Sequence, residues 1–358
     1  MSFIGAKRSL LARSRGNLLA WDSFSRIDGA IGRTEVNKSA RSKPWTGATW
    51  TISGNKAINT PVPGSELAVD GGVETWTDAT LDNWPASGSP TIAKEDTDIH
   101  GGSFAIDFTA NAGHDRVQQS LAGQTTGDWY LISAWGKRLS GTTGETSIGC
   151  GNLMNLAGGA GDNYSPAFTD AVYTKKVLTG QAVATTIYPR VVHKQPITAA
   201  YDNVLADDFS IKKLTLSELI SSLSDNGTPS VLASVSLTSD VNANAQSGLV
   251  TNLDSAASPA NFLLAIYTET NAILKKCVGG TYTTLISAAA TYGAGYVLRL
   301  HTYRSGANLM ANLTYNGVAV GTEQTISDAV IINNTIHGMF STYEGNTLDN
   351  YPLKKNWR

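Results

Sequence analysis

Paired carboxylates are the residues with which a β-rich chain could hydrolyse a glycan. A retaining glycosidase needs two carboxyl groups about 5 Å apart, one acting as nucleophile and the other as acid. On a strand, residues i and i+4 share a face. The nearest carboxylate cluster, Glu95-Asp96-Thr97-Asp98, lacks this spacing and is predicted to be a solvated turn. We therefore expect no enzymatic activity.

Histidines and nucleophile motifs add no catalytic signal. None of the five histidines pairs at a metal-ligand spacing such as His-x-x-x-His. The sequence also contains no Gly-x-Ser-x-Gly elbow and no phosphate-binding glycine loop. Each histidine is expected to be a surface or core residue, and no catalytic residue is assigned.

Aromatic rings beside amide and guanidinium groups could bind sugars, because ring faces stack on C–H groups while polar groups hold hydroxyls. The sequence offers six tentative carbohydrate-binding residues: Trp129, Trp135, Tyr164, Tyr188, Gln118 and Arg190. Core packing is the alternative for each aromatic residue. For the whole set, the alternative is a module that has lost its ligand and serves as a spacer.

Composition favours short strands over long helices. The 358-residue chain contains 35 glycines, is only 16% charged and has a formal net charge of −2. Such a chain favours strands joined by many turns, and its charge gives no general attraction to nucleic acid or acidic lipid. No apolar run approaches the roughly 18–20 residues that span a bilayer, so no membrane insertion is expected.

The first twenty residues differ from the rest of the chain. Four basic residues occur here before the first acidic one: Lys7, Arg8, Arg13 and Arg15. The leucine pairs of this segment are too interrupted for a signal peptide, which needs a continuous apolar stretch of roughly 7–15 residues. We expect residues 1–20 to form a basic arm that anchors or links subunits. A solvated, disordered tail is the alternative.

Strand patterns divide the chain into an interrupted sandwich and a complete one. The predicted fold class is all-β, with two β-sandwich (jelly-roll) domains, the second inserted into the first. The interrupted sandwich comprises residues 21–61 and 226–358, and the inserted jelly roll comprises residues 62–213. Leucine and isoleucine at helical spacing predict a short amphipathic helix as the connector over 214–225.

The strand signals are clearest in the last third of the chain. Eight runs there read as strands: 231–237, 248–253, 262–267, 272–278, 281–287, 296–303, 307–315 and 336–343. Asn316-Gly317 follows one of them and is a strong hairpin signal, because both turn positions need positive φ.

In the inserted region, residues 129–135 are apolar on both faces and are expected in the middle of a sheet, or with one face covered and the other bearing a ligand.

Residues 65–212 resemble carbohydrate-binding modules of the family 4/9 type. The matching pieces are Gly71-Gly72-Val73-Glu74, Asn83-Trp84, Gly101-Gly102-Ser103-Phe104-Ala105-Ile106, Val117-Gln118-Gln119, Tyr130-Leu131-Ile132-Ser133-Ala134-Trp135-Gly136-Lys137 and Ala206-Asp207-Asp208-Phe209-Ser210-Ile211. The resemblance implies a jelly roll, often with a structural calcium ion that joins its first and last strands. It makes Glu74 and Asp208 tentative calcium ligands, with Asp207 on the opposite face if the strand is regular. A surface carboxylate pair without an ion is the alternative, and no other cofactor is expected.

The flanking segments resemble concanavalin-A-like lectin and laminin-G-like sandwiches. The pieces are Asp22-Ser23-Phe24-Ser25-Arg26, Trp50-Thr51-Ile52, Gly248-Leu249-Val250 and Leu348-Asp349-Asn350-Tyr351. The first and last strands of that fold lie side by side, which implies a shared core for Phe24 and Tyr351. The glucan hydrolases of that fold carry a Glu-x-Asp-x-x-Glu string, and this chain has none. Sequences of this style are common in appendage and tail proteins of bacterial viruses.

These observations predict a non-enzymatic virion structural or appendage protein whose glycan-binding sandwiches serve surface attachment or particle decoration. Its expected partners are other copies of itself, other particle proteins and a cell-surface glycan, with no nucleic acid. The expected location is the virion surface, after synthesis in the host cytoplasm. A free, extracellular carbohydrate-binding protein is the alternative, and a glycan hydrolase or lyase with unfamiliar catalytic residues is a third hypothesis.

Overall fold

The computed structural model describes most of the chain as β-strand. The described residues are 18–35, 42–141, 145–154, 163–194, 202–223, 227–238, 246–268, 271–343 and 345–356. Their regular structure is almost entirely antiparallel strand, arranged in multi-stranded sheets. The prediction of an all-β sandwich fold is therefore confirmed. Within this part of the chain, no helix is long and apolar enough to cross a membrane.

The chain forms two compact units. One unit includes the described residues up to Val62 and resumes at Thr215, whereas the other is continuous from Pro63 to Leu214. We call them the split unit and the inserted unit.

Among the residues that the structure describes, five strands precede the insertion. They are β1 (Leu18–Asp22), β2 (Gly29–Ala30), β3 (Trp45–Thr46), β4 (Trp50–Ser53) and β5 (Lys56–Asn59). β1 begins two residues before the predicted end of the basic arm, and it pairs with the C-terminal segment at Leu353 and Lys354. Residues 18–20 therefore belong to the split unit, and the predicted arm boundary at residue 20 is wrong.

The described part of the inserted unit contains fourteen strands. They are β6 (Trp76–Thr77), β7 (Thr80–Leu81), β8 (Ala86–Ser87), β9 (Thr91–Glu95), β10 (Ala105–Thr109), β11 (Arg116–Gln118), β12 (Leu121–Ala122), β13 (Trp129–Ser140), β14 (Thr146–Gly151), β15 (Leu153–Met154), β16 (Asn163–Tyr164), β17 (Thr174–Ala182), β18 (Thr186–His193) and β19 (Asn203–Leu214).

The split unit resumes with a single-turn 3-10 helix, Leu216–Glu218, and later has one short α-helix, α1 (Ala329–Ile332). Its strands are β20 (Ile220–Leu223), β21 (Val231–Leu237), β22 (Ser247–Leu253), β23 (Phe262–Tyr267), β24 (Asn271–Val278), β25 (Thr281–Ala289), β26 (Tyr296–Ser305), β27 (Asn308–Tyr315), β28 (Val318–Ile326), β29 (Ile336–Ser341), β30 (Thr347–Asp349) and β31 (Tyr351–Lys355).

The amphipathic helix predicted over 214–225 does not form. Leu214 ends β19, the 3-10 helix covers only three residues, and Ile220–Leu223 is a strand. That strand pairs with β29 on one side and with β3 on the other. Pairing with both neighbours satisfies the backbone N–H and C=O groups of residues 220–223. The helical spacing of the leucines gives no indication of this pairing. Residues 224–226 of the predicted connector lie outside the described part of the chain.

Two sheets build the split unit. Sheet 1 has the order β2-β4-β5-β30-β21-β26-β27-β28, with β31 also on β21 and β1 on β31, and sheet 2 has the order β25-β24-β23-β22-β29-β20-β3. Asp22 of the first strand lies opposite Tyr351 of the last, so the expected pairing of the first and last strands is confirmed. Phe24, Trp45 and Tyr351 are buried in one hydrophobic cluster, as the shared core requires.

Two multi-stranded sheets build the described part of the inserted unit, and β6 pairs with β7 in a separate two-stranded sheet. Sheet 3 has the order β15-β17-β13-β19-β10-β9, and sheet 4 has the order β16-β14-β18-β11-β8 with β12 on β18. Ile132 and Leu178 from sheet 3 and Ile148 and Val191 from sheet 4 belong to one buried cluster, so the core lies between the two sheets. β13 lies between β17 and β19, which confirms the predicted central position of residues 129–135.

Candidate functional site

The outward face of sheet 4 carries the polar and aromatic candidates. On β18, Ile187 and Val191 point into the core. Successive side chains of a strand alternate between its two faces, so Tyr188 and Arg190 point outward. On β11, Val117 is likewise in the core, which places Gln118 outward.

Strand register brings three of these residues into one row. In the ladder between β14 and β18, Gly149 lies opposite Arg190, and in the ladder between β14 and β16 it lies opposite Tyr164. On the other side of β18, Gln118 lies opposite Arg190. Tyr164, Gly149, Arg190 and Gln118 therefore cross four adjacent strands, and we call these four residues the sheet 4 row. Tyr188 stands two residues from Arg190 on the same face, opposite Gly151.

Gly149 gives the row its shape. A Cβ at this position would lie 2.8 Å from Tyr164 Cδ1 and 3.1 Å from Val192 Cγ1. Any side chain here would displace the tyrosine ring, so the glycine lets Tyr164 lie across the strand. The neighbouring residue, Asn163, is buried and donates from Nδ2 to the carbonyl of Thr179 in sheet 3 at 2.9 Å. That bond fixes β16 and hence the position of Tyr164.

Cationic groups surround the Tyr164 ring. Arg190 Cζ and Lys194 Nζ each lie 5.8 Å from the ring centroid, within the range of a cation–π interaction. Lys194 Nζ also donates to the carbonyl of Ser165 at 2.8 Å. Arg190 is only 6% exposed, although it lies on the outward face. Two positive charges therefore lie close to the ring.

Gln118 is oriented by a neighbour on its own strand. Arg116 Nε donates to Gln118 Oε1 at 3.0 Å, and Arg116 Nη1 donates to the carbonyl of His114 at 3.2 Å. Within the described part of the chain, no hydrogen bond involves Gln118 Nε2. Its N–H groups are available to a sugar hydroxyl at the end of the row.

Trp129 and Trp135 lie in sheet 3 and do not join the row. Trp129 is only 1% exposed, so it is a buried residue and cannot serve as a ligand platform in this structure. Trp135 is half-buried, and its ring stacks on His100 with 4.0 Å between centroids and 16° between planes. The structure therefore separates the two tryptophans from Tyr164, Tyr188, Gln118 and Arg190, with which they were grouped.

The tentative calcium ligands do converge. The point that a Cβ of Gly72 would occupy lies 3.9 Å from Glu74 Oε1 and 4.0 Å from Asp208 Oδ1. Glu74 Oε1 also accepts the N–H of Ser103 at 2.8 Å. Asp208 Oδ2 lies 2.6 Å from His100 Nδ1. The carboxylates of Glu74 and Asp208, more than a hundred residues apart in the sequence, thus lie near the same backbone position at Gly72.

The strand that carries Asp207 and Asp208 is not regular. Asp208 and Phe209 together stand opposite the single residue Ala134 of β13, which is a β-bulge, and Asp208 has a φ of 50°. The two carboxylates consequently do not point to opposite faces, as a regular strand would require. Asp207 Oδ2 accepts the N–H groups of residues 100–101, both at 3.0 Å. Burial raises the pKa of the Asp207 carboxyl, and the N–H donors oppose that shift.

The donor set at Glu74 and Asp208 fits a hard cation. Calcium takes six to eight oxygen ligands from carboxylates, carbonyls and water. Among the described residues, no group of three or more His, Cys, Asp or Glu side chains could hold a metal ion. Two carboxylates supply at most four oxygens, so backbone carbonyls and water would complete the shell.

Sequence reasoning missed Arg116, Gly149 and Lys194. The alternation of Tyr188 and Arg190 on β18, continued to the residue directly after the strand, is a signal that could have placed Lys194 on the face. Gly149 and Arg116 have no such signal, because their roles depend on cross-strand register. The predicted assembly residues Lys7, Arg8, Arg13 and Arg15 lie outside the described residues.

Comparisons with known proteins give distant similarities. No family model matches the chain, and no curated protein matches it. The solved CBM22-1–CBM22-2 tandem domain of Paenibacillus barcinonensis Xyn10C is 11% identical, with a TM-score of 0.35 over 82% of this chain and 98% of that one. A xylan β-1,4-xylosidase from Bacillus halodurans C-125 is 11% identical, with a TM-score of 0.31 over 39% of this chain. The tail fiber protein gp63.1 of an E. coli phage is 10% identical, with a TM-score of 0.27 over 83% of this chain.

The chain spans 31% of the xylosidase and 41% of the tail fiber protein.

Proposed function

We propose that the outward face of sheet 4 binds a glycan. The observation that carries the proposal is the row in which the Tyr164 ring, the Arg190 guanidinium and the Gln118 amide lie on adjacent strands. An aromatic face next to fixed polar groups is the arrangement that recognises a sugar ring and its hydroxyls. Tyr188 adds a second ring on the same face.

The role proposed for this face is binding without catalysis. A retaining glycosidase needs two carboxylates about 5 Å apart at the bound sugar. None of the outward positions next to Tyr164 and Arg190 on β11, β14 and β18 holds Asp or Glu. A hydrolase or lyase would instead show sustained turnover of a polysaccharide that is lost when one carboxylate is replaced.

The setting proposed for this binding face is a virion structural or appendage protein, with copies of itself and other particle proteins as partners. Its support is the resemblance of the split unit to lectin-like sandwiches of phage appendage proteins. A free, extracellular glycan-binding protein uses the same face. Density-gradient separation of the source material distinguishes them: co-sedimentation with particles at fixed stoichiometry supports the virion role, whereas recovery only in the soluble fraction contradicts it.

Replacing Tyr164 with alanine is expected to lower glycan affinity about tenfold or more, because the stacking surface is lost. A glycan array probed with the full chain would identify the ligand, and calorimetric titration would measure affinities. Tyr303→Ala is the matched control, since Tyr303 lies in the split unit and bonds Glu323. Trp135→Ala is also expected to leave affinity unchanged. Affinity that falls with Trp135→Ala but not with Tyr164→Ala would move the site to sheet 3.

We also propose a structural calcium site at Glu74 and Asp208, supported by the convergence of their carboxylates at Gly72. A bound ion would join the segment before β6 to β19.

Calcium at one hundred times its dissociation constant is expected to raise the free energy of unfolding by about 2.7 kcal/mol, or the melting temperature by several degrees. Thermal unfolding with calcium or with a chelator measures this shift. Asp208→Asn should abolish it, whereas Asp170→Asn, with Asp170 paired to Lys176, should not. An unchanged wild-type melting temperature would show that no such site exists.

A further inference from the structure

Positive charge is concentrated along the proposed binding face. Arg190 and Lys194 flank the Tyr164 ring at 5.8 Å, and Arg116 contacts Gln118 at the other end of the row. All three cations belong to β11 and β18 or to the residue directly after β18. Three cationic residues therefore lie on two adjacent strands of the face.

Three carboxylates of the inserted unit lie at or beside sheet 3. Asp207 and Asp208 contact the segment at residues 100–101, and Asp98 pairs with Lys137. These groups belong to sheet 3 or to the loop beside it. The carboxylates nearest to the cations in the strand order are Glu145, directly before β14, whose backbone carbonyl accepts the backbone N–H of Lys194, and Asp115, directly before β11, which is buried and accepts backbone N–H groups. Strands β11, β14 and β18 themselves carry no carboxylate.

Resting on the proposed function, we infer that the glycan bound by sheet 4 is acidic, with sugars that carry carboxylates, such as uronic acids. A carboxylate accepts two parallel hydrogen bonds from a guanidinium, and such charge-assisted bonds are roughly twice as strong as neutral ones. Arg190 is only 6% exposed, so its charge acts on the face through a poorly screened field, whereas the more exposed Arg116 and Lys194 are the groups that can contact a ligand carboxylate. This Coulombic attraction acts whatever hydrogen bonds the guanidinium already makes within the chain.

The test compares acidic polysaccharides with their carboxyl-reduced forms. Polygalacturonate, alginate and hyaluronan, each paired with its carboxyl-reduced counterpart, would be titrated into the full chain at low and at physiological salt. At least one acidic polymer is expected to bind about tenfold or more tightly than its reduced form, because hydrogen bonds to charged groups are the stronger ones. The preference should shrink as salt rises.

Variants assign the preference to the face. Arg116→Gln and Lys194→Gln, which change groups less buried than Arg190, are each expected to weaken binding of the acidic polymer several-fold while leaving the melting temperature unchanged. Lys94→Gln is the control, because Lys94 lies over Phe104 beside sheet 3, and it should leave binding unchanged.

The outcomes separate the two proposals. Equal affinity for an acidic polymer and its reduced form, lost in Tyr164→Ala, would overturn the acidic preference and leave glycan binding intact. Binding to none of the polymers nor to neutral xylan or cellulose fragments would overturn both. Dextran sulfate is a polyanion without sugar carboxylates. If it binds as tightly as the acidic polymer, and Tyr164→Ala does not weaken that binding, the attraction is a nonspecific one for polyanions and the inference is overturned.

Discussion

Replacing Asp22 with alanine is expected to lower the free energy of unfolding of the split unit by about 3 kcal/mol, because two buried N–H donors and a partly exposed guanidinium lose their acceptor. Asp22 is fully buried, and its carboxylate pairs with the guanidinium of Arg26. The same carboxylate accepts the indole N–H of Trp45 and the backbone N–H of Phe24, both at 2.9 Å. Alanine would leave all these donors without their acceptor in the core.

Two variants make this test specific. Asp22→Asn keeps one carbonyl oxygen at the site and should cost less than alanine. Asp28→Ala removes an exposed carboxylate that bonds Gly54, and it should stay within about 0.5 kcal/mol of wild type. Denaturant titration, followed by tryptophan fluorescence and circular dichroism, measures the unfolding free energy of all three variants. If Asp22→Ala lowers the unfolding free energy no more than Asp28→Ala does, the hydrogen bonds of the Asp22 carboxylate do not stabilise the split unit.

Acid is expected to destabilise the split unit through His337. This fully buried ring accepts the backbone N–H of Asn252 at Nδ1 (3.2 Å), and its Nε2 lies 3.0 Å from the carbonyl of Thr228. Both contacts fit a neutral ring that carries its proton on Nε2. Burial lowers the pKa of His337 from 6.5 to about 4.

The sign of the effect follows from linkage. The folded state favours the neutral ring, so its contribution is complete above pH 6.5, the unfolded pKa, and is lost as the pH falls through the folded value near 4. The loss over this window is about 3 kcal/mol. A glutamine at position 337 does not titrate, so the unfolding free energy of His337→Gln should fall less than that of wild type over the same pH window. His301→Gln is the control on β26. If His337→Gln falls as steeply as wild type, another group causes the acid sensitivity.

Much of the fold could be predicted from local pattern. The runs at 231–237 and 262–267 have the bounds of β21 and β23. The predicted turn at Asn316-Gly317 has positive φ at both residues, 48° and 79°, and joins β27 to β28. The connector at 214–225 failed because the local apolar spacing fits a helix, whereas the pairing of Ile220–Leu223 with β29 depends on residues more than a hundred positions away.

The candidate site was predicted only in part, for reasons of register and burial. Residue type and strand alternation were enough to select Tyr164, Tyr188, Gln118 and Arg190, but not to show that they share sheet 4. Trp129 is equally aromatic, yet it is buried in sheet 3. The bulge at Asp208 and Phe209 is also invisible in the residue pattern, so the orientation of the two aspartates could not be inferred.

A crystal structure of the full chain with the tightest-binding glycan from the array tests the central claim most directly. The account predicts a sugar ring against Tyr164, with its polar groups bonded to Arg190 and Gln118. A sugar bound instead at Trp135 and His100, or on the split unit, would contradict it.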